Sequence, residues 1–167
     1  AAMDEDVYRG GSAILPGVTF LGTGSLSDRI WAKPSVTVLG MDLPNTTEAA
    51  NTGTHSLKTT GRTAGFNGPS LSLTAQLTKG ATYGVTVSGR LVAGTPATTL
   101  RVTMQRTVGS TNNFDTIVGN TNTTDAAWVT MSGTYAFTSD NVTGLLLYVE
   151  SASATASYYI DTFSIVQ

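Results

Sequence analysis

Leu145-Leu146-Leu147-Tyr148-Val149-Glu150 is the stretch whose reading decides the fold. Side chains on a β-strand alternate between its two faces. As a strand, this run puts Leu145, Leu147 and Val149 on one face, the core side, and Leu146, Tyr148 and Glu150 on the other. A flat aromatic and a carboxylate on one open face suit a sugar ring. The C–H face of the ring stacks on the phenol while its hydroxyls donate to the carboxylate. The plainer reading is an ordinary solvent-facing pair on a sheet.

The same alternation runs outward along the chain. Strands are predicted at Val18–Phe20, Ser35–Leu39, His55–Thr59, Ser70–Leu73 and Thr82–Leu91, the last with Tyr83, Val85, Val87 and Leu91 on one face. Thr99–Arg106 turns Leu100, Val102 and Met104 inward and Arg101, Thr103 and Gln105 outward. Phe114–Val118 reads as a short strand, and Trp128–Phe137 as another. In Tyr158–Val166, strict alternation puts Tyr159, Asp161, Phe163 and Ile165 together, against Tyr158, Ile160, Thr162, Ser164 and Val166. The longest polar loops are expected at Gly40–Asn51 and Val108–Asn113. About ten strands separated by Gly, Asn, Asp, Ser and Pro turns, with no sustained helical period, predict an all-β protein: a two-sheet antiparallel β-sandwich, or jelly roll.

The chain has 167 residues, enough for one domain with a real core. We divide it into a lead-in segment, 1–16, and a sandwich module, 17–167, with no linker or repeat. Charged residues make up 12 %, and 18 glycines stand among many Thr, Ser and Asn, a strand-and-turn composition. Nine Lys and Arg are dispersed and the net charge is -2, a weak footprint for nucleic acid. No apolar run approaches membrane-spanning length. Ala1-Ala2-Met3-Asp4-Glu5-Asp6 does not read as a signal peptide, so a mature protein or excised module is expected. The absence of cysteine leaves no disulfide or thiolate site, and the low-charge surface looks extracellular.

Catalytic signatures are sparse. The chain has no Gly-x-Ser-x-Gly elbow and no phosphate loop, and His55 is its only histidine. Glycoside hydrolysis needs two facing carboxylates. The glutamates are Glu5, Glu48 and Glu150, and the aspartates lie mostly beside turn residues. A small hydrolase using Glu150 with a cross-strand Asp stays open as a minor reading. What the chain offers instead is an open sheet face bearing Arg101, Thr103, Gln105, Tyr148 and Glu150.

The run Ser56-Leu57-Lys58-Thr59-Thr60-Gly61-Arg62-Thr63-Ala64-Gly65-Phe66-Asn67-Gly68-Pro69 resembles the signature of family 22 carbohydrate-binding modules, S-L-x-x-T-G-R-T-x-x-W-x-G-P. In the same order, Leu77–Tyr83 resembles the family's L-x-x-G-x-x-Y, Leu147–Ser151 its Y-x-E strand, and Tyr158–Ile165 its closing F-Y-I-D-D-x-S-I. The likeness runs over about residues 33–167.

The resemblance implies a non-catalytic domain with a cleft on the concave sheet for xylan or xylooligosaccharides, with some tolerance for mixed-linkage β-glucan. It makes Tyr148 and Glu150 binding residues directly. The family tryptophan falls on Phe66, a second family tyrosine on Phe114 and the family arginine near Lys33. Arg101 and Gln105 join them as candidates from the open face. The resemblance also implies a structural calcium, held by the Asp161 carboxylate and by carbonyls around Thr52 and His55; Leu21 follows Phe20, where the family carries a further glutamate. The expected whole is a monomeric module tethered to a catalytic domain in a secreted xylanase, with no nucleic-acid or membrane partner. Phe66 and Lys33, where the family has Trp and Arg, favour the alternative of a weakly binding structural module.

Overall fold

The computed structural model describes residues 45–51 and 56–167. Its strands are β1 (Asn45–Thr46), β2 (Ser56–Thr59), β3 (Ser70–Ser72), β4 (Thr82–Leu91), β5 (Thr98–Val108), β6 (Thr111–Thr123), β7 (Val129–Ala136), β8 (Val142–Ser151) and β9 (Tyr158–Val166). They form two sheets, one in the order β1-β2-β9-β4-β7 and the other β3-β8-β5-β6. Every pairing among them is antiparallel. This is the two-sheet β-sandwich expected. The lead-in 1–16, the strands read at Val18–Phe20 and Ser35–Leu39, and residues 52–55 lie outside the described residues.

The core lies between the sheets. Leu145, Leu147 and Val149 are sealed in it, as are Leu100, Val102 and Met104 from β5. Tyr83, Val85, Val87 and Leu91 of β4 face them, with Met131 of β7. Each such aliphatic side chain contributes about 1.5–3 kcal/mol on leaving water. Period-two alternation fixes which side chains remain outside, and these build the groove described below.

Three local expectations are corrected. Val108–Asn113 is not a long loop: Val108 pairs Thr111 across a tight turn at Gly109 and Ser110, with Gly109 at φ 60°. Phe114–Val118 belongs to a strand of 13 residues, because the polar runs on either side of it, Thr111–Asn113 and Thr121–Thr123, also pair with β5. In β9, Tyr158 and Ile160 enter the core, and so do Phe163 and Ile165. The alternation slips because Thr86 pairs Ser164 while Ser88 pairs Asp161, so Thr162 and Phe163 together oppose Val87. Thr162 absorbs the extra residue at φ 54°, the left-handed region that only a bulge makes tolerable here.

β6 bends toward β7. Its register with β5 shifts twice, between Leu100 and Val102 and again between Val102 and Thr103. Close approach follows at Gly133 of β7, where a Cβ would overlap the Ile117 carbonyl oxygen, so no larger residue fits. A polar clamp bridges the sheets nearby. Arg106 Nε donates to Asp115 Oδ2 at 2.8 Å and Nη2 to Oδ1 at 3.2 Å, while the Tyr135 hydroxyl donates to Oδ2 at 2.9 Å. Arg106 above all holds the Asp115 carboxyl below its ordinary value, with Tyr135 adding to the effect.

Candidate functional site

Cross-strand register assembles the site in rows on the outer face of the β3-β8-β5-β6 sheet. Arg101 stands opposite Glu150. In the next row Tyr148 has Ser70 on one side and Thr103 on the other. In the third, Leu146 pairs Gln105, which pairs Phe114. Successive rows lie two residues apart along the strands, about 7 Å.

The loop 60–69 adds a wall. Pro69 O accepts the Val149 N–H at 3.1 Å and Gly65 O the Ser151 N–H at 3.2 Å, so the loop runs along β8. Gly68 permits this contact, since a Cβ there would overlap the Val149 carbonyl oxygen. Phe66 projects from the loop, and Phe114 stands on β6. The two residues are 67 % and 59 % exposed. Between and below them is a groove of about 550 Å³, floored by Tyr148, Leu146, Gln105, Arg101, Glu150 and Ser70.

Six sequence candidates thus meet in one groove: Phe66, Phe114, Arg101, Gln105, Tyr148 and Glu150. Lys33 lies outside the described residues. The face is less open than the sequence suggested, since Tyr148 and Glu150 are each only 8 % exposed. Sequence reasoning missed Gly68 and Ser70 as lining residues; their signal was the Gly-Pro-Ser that follows Phe66 and Asn67.

In the floor, the Glu150 carboxylate is held by its neighbour Thr103. Thr103 Oγ1 donates to Glu150 Oε2 at 2.7 Å. Arg101 Nε sits 3.4 Å from that oxygen as an ion pair, yet without hydrogen-bond geometry, and it has no other hydrogen-bond partner among the described residues. The Ser70 hydroxyl is likewise buried without one. Burial first, and then the Glu150 charge, push the Tyr148 phenol up to about 12, so it stays a neutral donor at ordinary pH. Among the described residues Glu150 is the only carboxylate lining the groove, and it faces Arg101 and Thr103. The arrangement can stack apolar ring faces on aromatics and read hydroxyls with fixed donors and acceptors.

The expected calcium ligand Asp161 is buried on β9. Its Oδ2 accepts the Asn51 N–H and its Oδ1 the Thr162 N–H, each at 2.8 Å. Among the described residues no cluster of three or more His, Cys, Asp or Glu could hold a metal. Thr52 and His55, the other expected ligands, lie outside the described residues.

A model of the carbohydrate binding domain matches residues 41–156. The CBM22-1 xylan-binding domain from Paenibacillus barcinonensis Xyn10C is 37 % identical and superimposes with a TM-score of 0.73, over 77 % of this chain and 81 % of that one. The chain belongs to family 22 of the carbohydrate-binding modules. As such it is a non-catalytic binding domain. The module is also similar to the C-terminal family 22 module of Clostridium thermocellum Xyn10B, at 27 % identity and a TM-score of 0.66, over 75 % of this chain and 80 % of that one. Endo-1,4-β-xylanase C of Paenibacillus barcinonensis is 37 % identical over 127 residues, 75 % of this chain but only 12 % of that enzyme. The module thus corresponds to a small part of the curated relatives it matches.

Proposed function

We propose that this module binds xylan and xylooligosaccharides in the groove between Phe66 and Phe114. The observation that carries the proposal is two largely exposed phenylalanines flanking a floor that carries Arg101, Gln105, Tyr148 and Glu150. Water-exposed phenylalanine costs free energy in the unliganded protein, and a sugar chain lying between the rings removes it. Tyr148 supplies a further aromatic surface, and Glu150, Arg101 and Gln105 select the hydroxyl pattern. The similar Paenibacillus domain is a xylan-binding domain, and the Clostridium module binds its ligand in a cleft.

In this reading the module belongs to a secreted xylanase and keeps its catalytic domain near polymeric substrate by raising effective concentration. It acts as a monomer and tolerates mixed-linkage β-glucan less well than xylan. Calcium would be held by Asp161 with carbonyls from residues 52–55, as a brace on β9 away from the groove.

Calorimetric titration with xylohexaose, with cellohexaose as control, tests the function. We expect xylohexaose to bind with micromolar-range affinity, on the order of -6 to -8 kcal/mol. No heat with either sugar would overturn the binding reading and bring forward a structural module that only stabilises its neighbour.

A further inference from the structure

Arg62 does not touch the groove, yet it holds the groove's most exposed wall. It lies in the loop 60–69 with only 3 % of its surface exposed. Its guanidinium donates to backbone carbonyls on two segments. Nε reaches Asn67 O at 2.8 Å and Nη2 reaches Gly65 O at 2.7 Å. Nη1 reaches Ser153 O at 2.6 Å and Ala156 O at 3.1 Å, both in the β8–β9 connection. The Tyr158 ring lies beneath the guanidinium, 5.3 Å from its carbon, an arrangement that favours the cation.

Gly65 and Asn67 are the residues on either side of Phe66. One guanidinium therefore fixes the backbone before and after a ring that has little protein around it. Asn67 helps from within the loop, its Oδ1 accepting the N–H groups of Thr63 at 3.1 Å and Ala64 at 2.9 Å. Gly65 O is shared, accepting from Arg62 and from the Ser151 N–H of β8. The floor residue Glu150 directly precedes Ser151, so the same contact sets the wall against the floor.

We propose that Arg62 is the positioning residue for ligand binding: it presents Phe66 in its bound position before ligand arrives. The proposal rests on the groove reading above. A loop ordered in advance removes an entropy cost that ligand binding would otherwise bear. Lysine cannot substitute, because one ammonium cannot span carbonyls that a planar fork reaches in several directions.

The test is a double-mutant cycle on the whole chain, using Arg62→Lys, Phe66→Ala and the pair, with xylohexaose as the probe. We expect Arg62→Lys to weaken binding about tenfold. Phe66→Ala should cost about tenfold in the wild type and less than about threefold in Arg62→Lys, since a wall already misplaced has little left to lose. Equal costs in both backgrounds would overturn the proposal.

A ligand-free measurement runs beside it. Exchange of the Ser151 amide should accelerate in Arg62→Lys, and unchanged exchange would also overturn the proposal. If the wild type binds no xylohexaose while Ser151 exchange still accelerates, the carbohydrate reading fails and the hold on the loop stands. If Arg62→Lys does not fold, backbone order in the ligand-free wild type decides. Order parameters near about 0.85 for Gly65–Asn67 support the proposal, and values below about 0.6 overturn it.

Discussion

Thr103 and Glu150, on neighbouring strands of the groove floor, are joined by a 2.7 Å hydrogen bond from hydroxyl to carboxylate. Glu150 is mostly withdrawn from water, and Arg101 approaches it without a well-formed hydrogen bond. Thr103 is therefore the donor that fixes the carboxylate. Thr103→Val keeps the shape and removes the hydroxyl. It should lower stability by about 1–3 kcal/mol, the cost of leaving a buried charged acceptor short of a partner. Binding of xylohexaose should weaken as well, whereas Thr103→Ser should behave like the wild type in both respects. Denaturant unfolding and calorimetry read the two effects separately, and identical behaviour of the Val and Ser variants would show that Glu150 does not depend on this bond.

Phe66 and Phe114 should separate binding from stability. Both rings are largely exposed, so replacing either with alanine should change folding free energy by no more than about 0.5 kcal/mol. Loss of a stacking surface should weaken xylohexaose binding about tenfold in each case. Phe66→Trp, which enlarges the ring and adds an N–H donor, should tighten it. Unaltered affinity in both alanine variants would remove the groove as the ligand site.

Tyr148 sets a pH expectation. Its phenol, raised to about 12, stays protonated well past the ordinary tyrosine range. Through pH 7 to about 10, then, its ionisation should not alter affinity. Tyr148→Phe should retain most of the binding and Tyr148→Ala should lose it. A fall in affinity between about pH 9 and 10, absent from Tyr148→Phe, would show that the phenol titrates there after all.

Asp115 controls acid stability from between the two sheets. Its pKa is depressed, chiefly by Arg106. A depressed carboxyl contributes stability above its unfolded pKa of about 3.9 and loses it as pH falls through the lower folded value. Asp115→Asn should thus be less stable than the wild type at pH 7, by about 1–2 kcal/mol. The gap should close below about pH 4. Urea unfolding at a series of pH values checks this, and a gap independent of pH would assign the effect to lost packing instead of charge.

Calcium has a direct thermal test. If Asp161 braces β9 through the ion, calcium at about 100 times its dissociation constant should stabilise the domain by about 2.7 kcal/mol, and a chelator should reverse the gain. Asp161→Asn should abolish that response. Equal melting of the wild type with calcium and with chelator would remove the ion from this site.

The sequence displayed the core better than the connections. Leu145, Leu147 and Val149 alternate with a period that only a strand satisfies, and Leu100, Val102 and Met104 repeat it on the strand they pair with. Once that phase was known, Arg101, Gln105, Tyr148 and Glu150 had to share the opposite face. The bulges were not legible. Thr162 is an ordinary strand residue by composition, and its left-handed conformation follows only from the need to bring both Ile160 and Phe163 inward. The full length of β6 was hidden because Thr111–Asn113 and Gly119–Asn122 are as polar as any loop. Arg62 was hidden for a similar reason: an arginine in a Thr/Gly-rich turn reads as solvated until its carbonyl partners are known.

The two exposed phenyl rings have a consequence for the free domain in solution. The chain carries a net charge of only -2, so little electrostatic repulsion keeps copies apart. Rings that face water on such a surface are adhesive toward any apolar neighbour, including a second copy or a chromatographic resin. An oligosaccharide seated between them would act as a solubiliser, delaying aggregation on heating even where it adds little to the folding equilibrium.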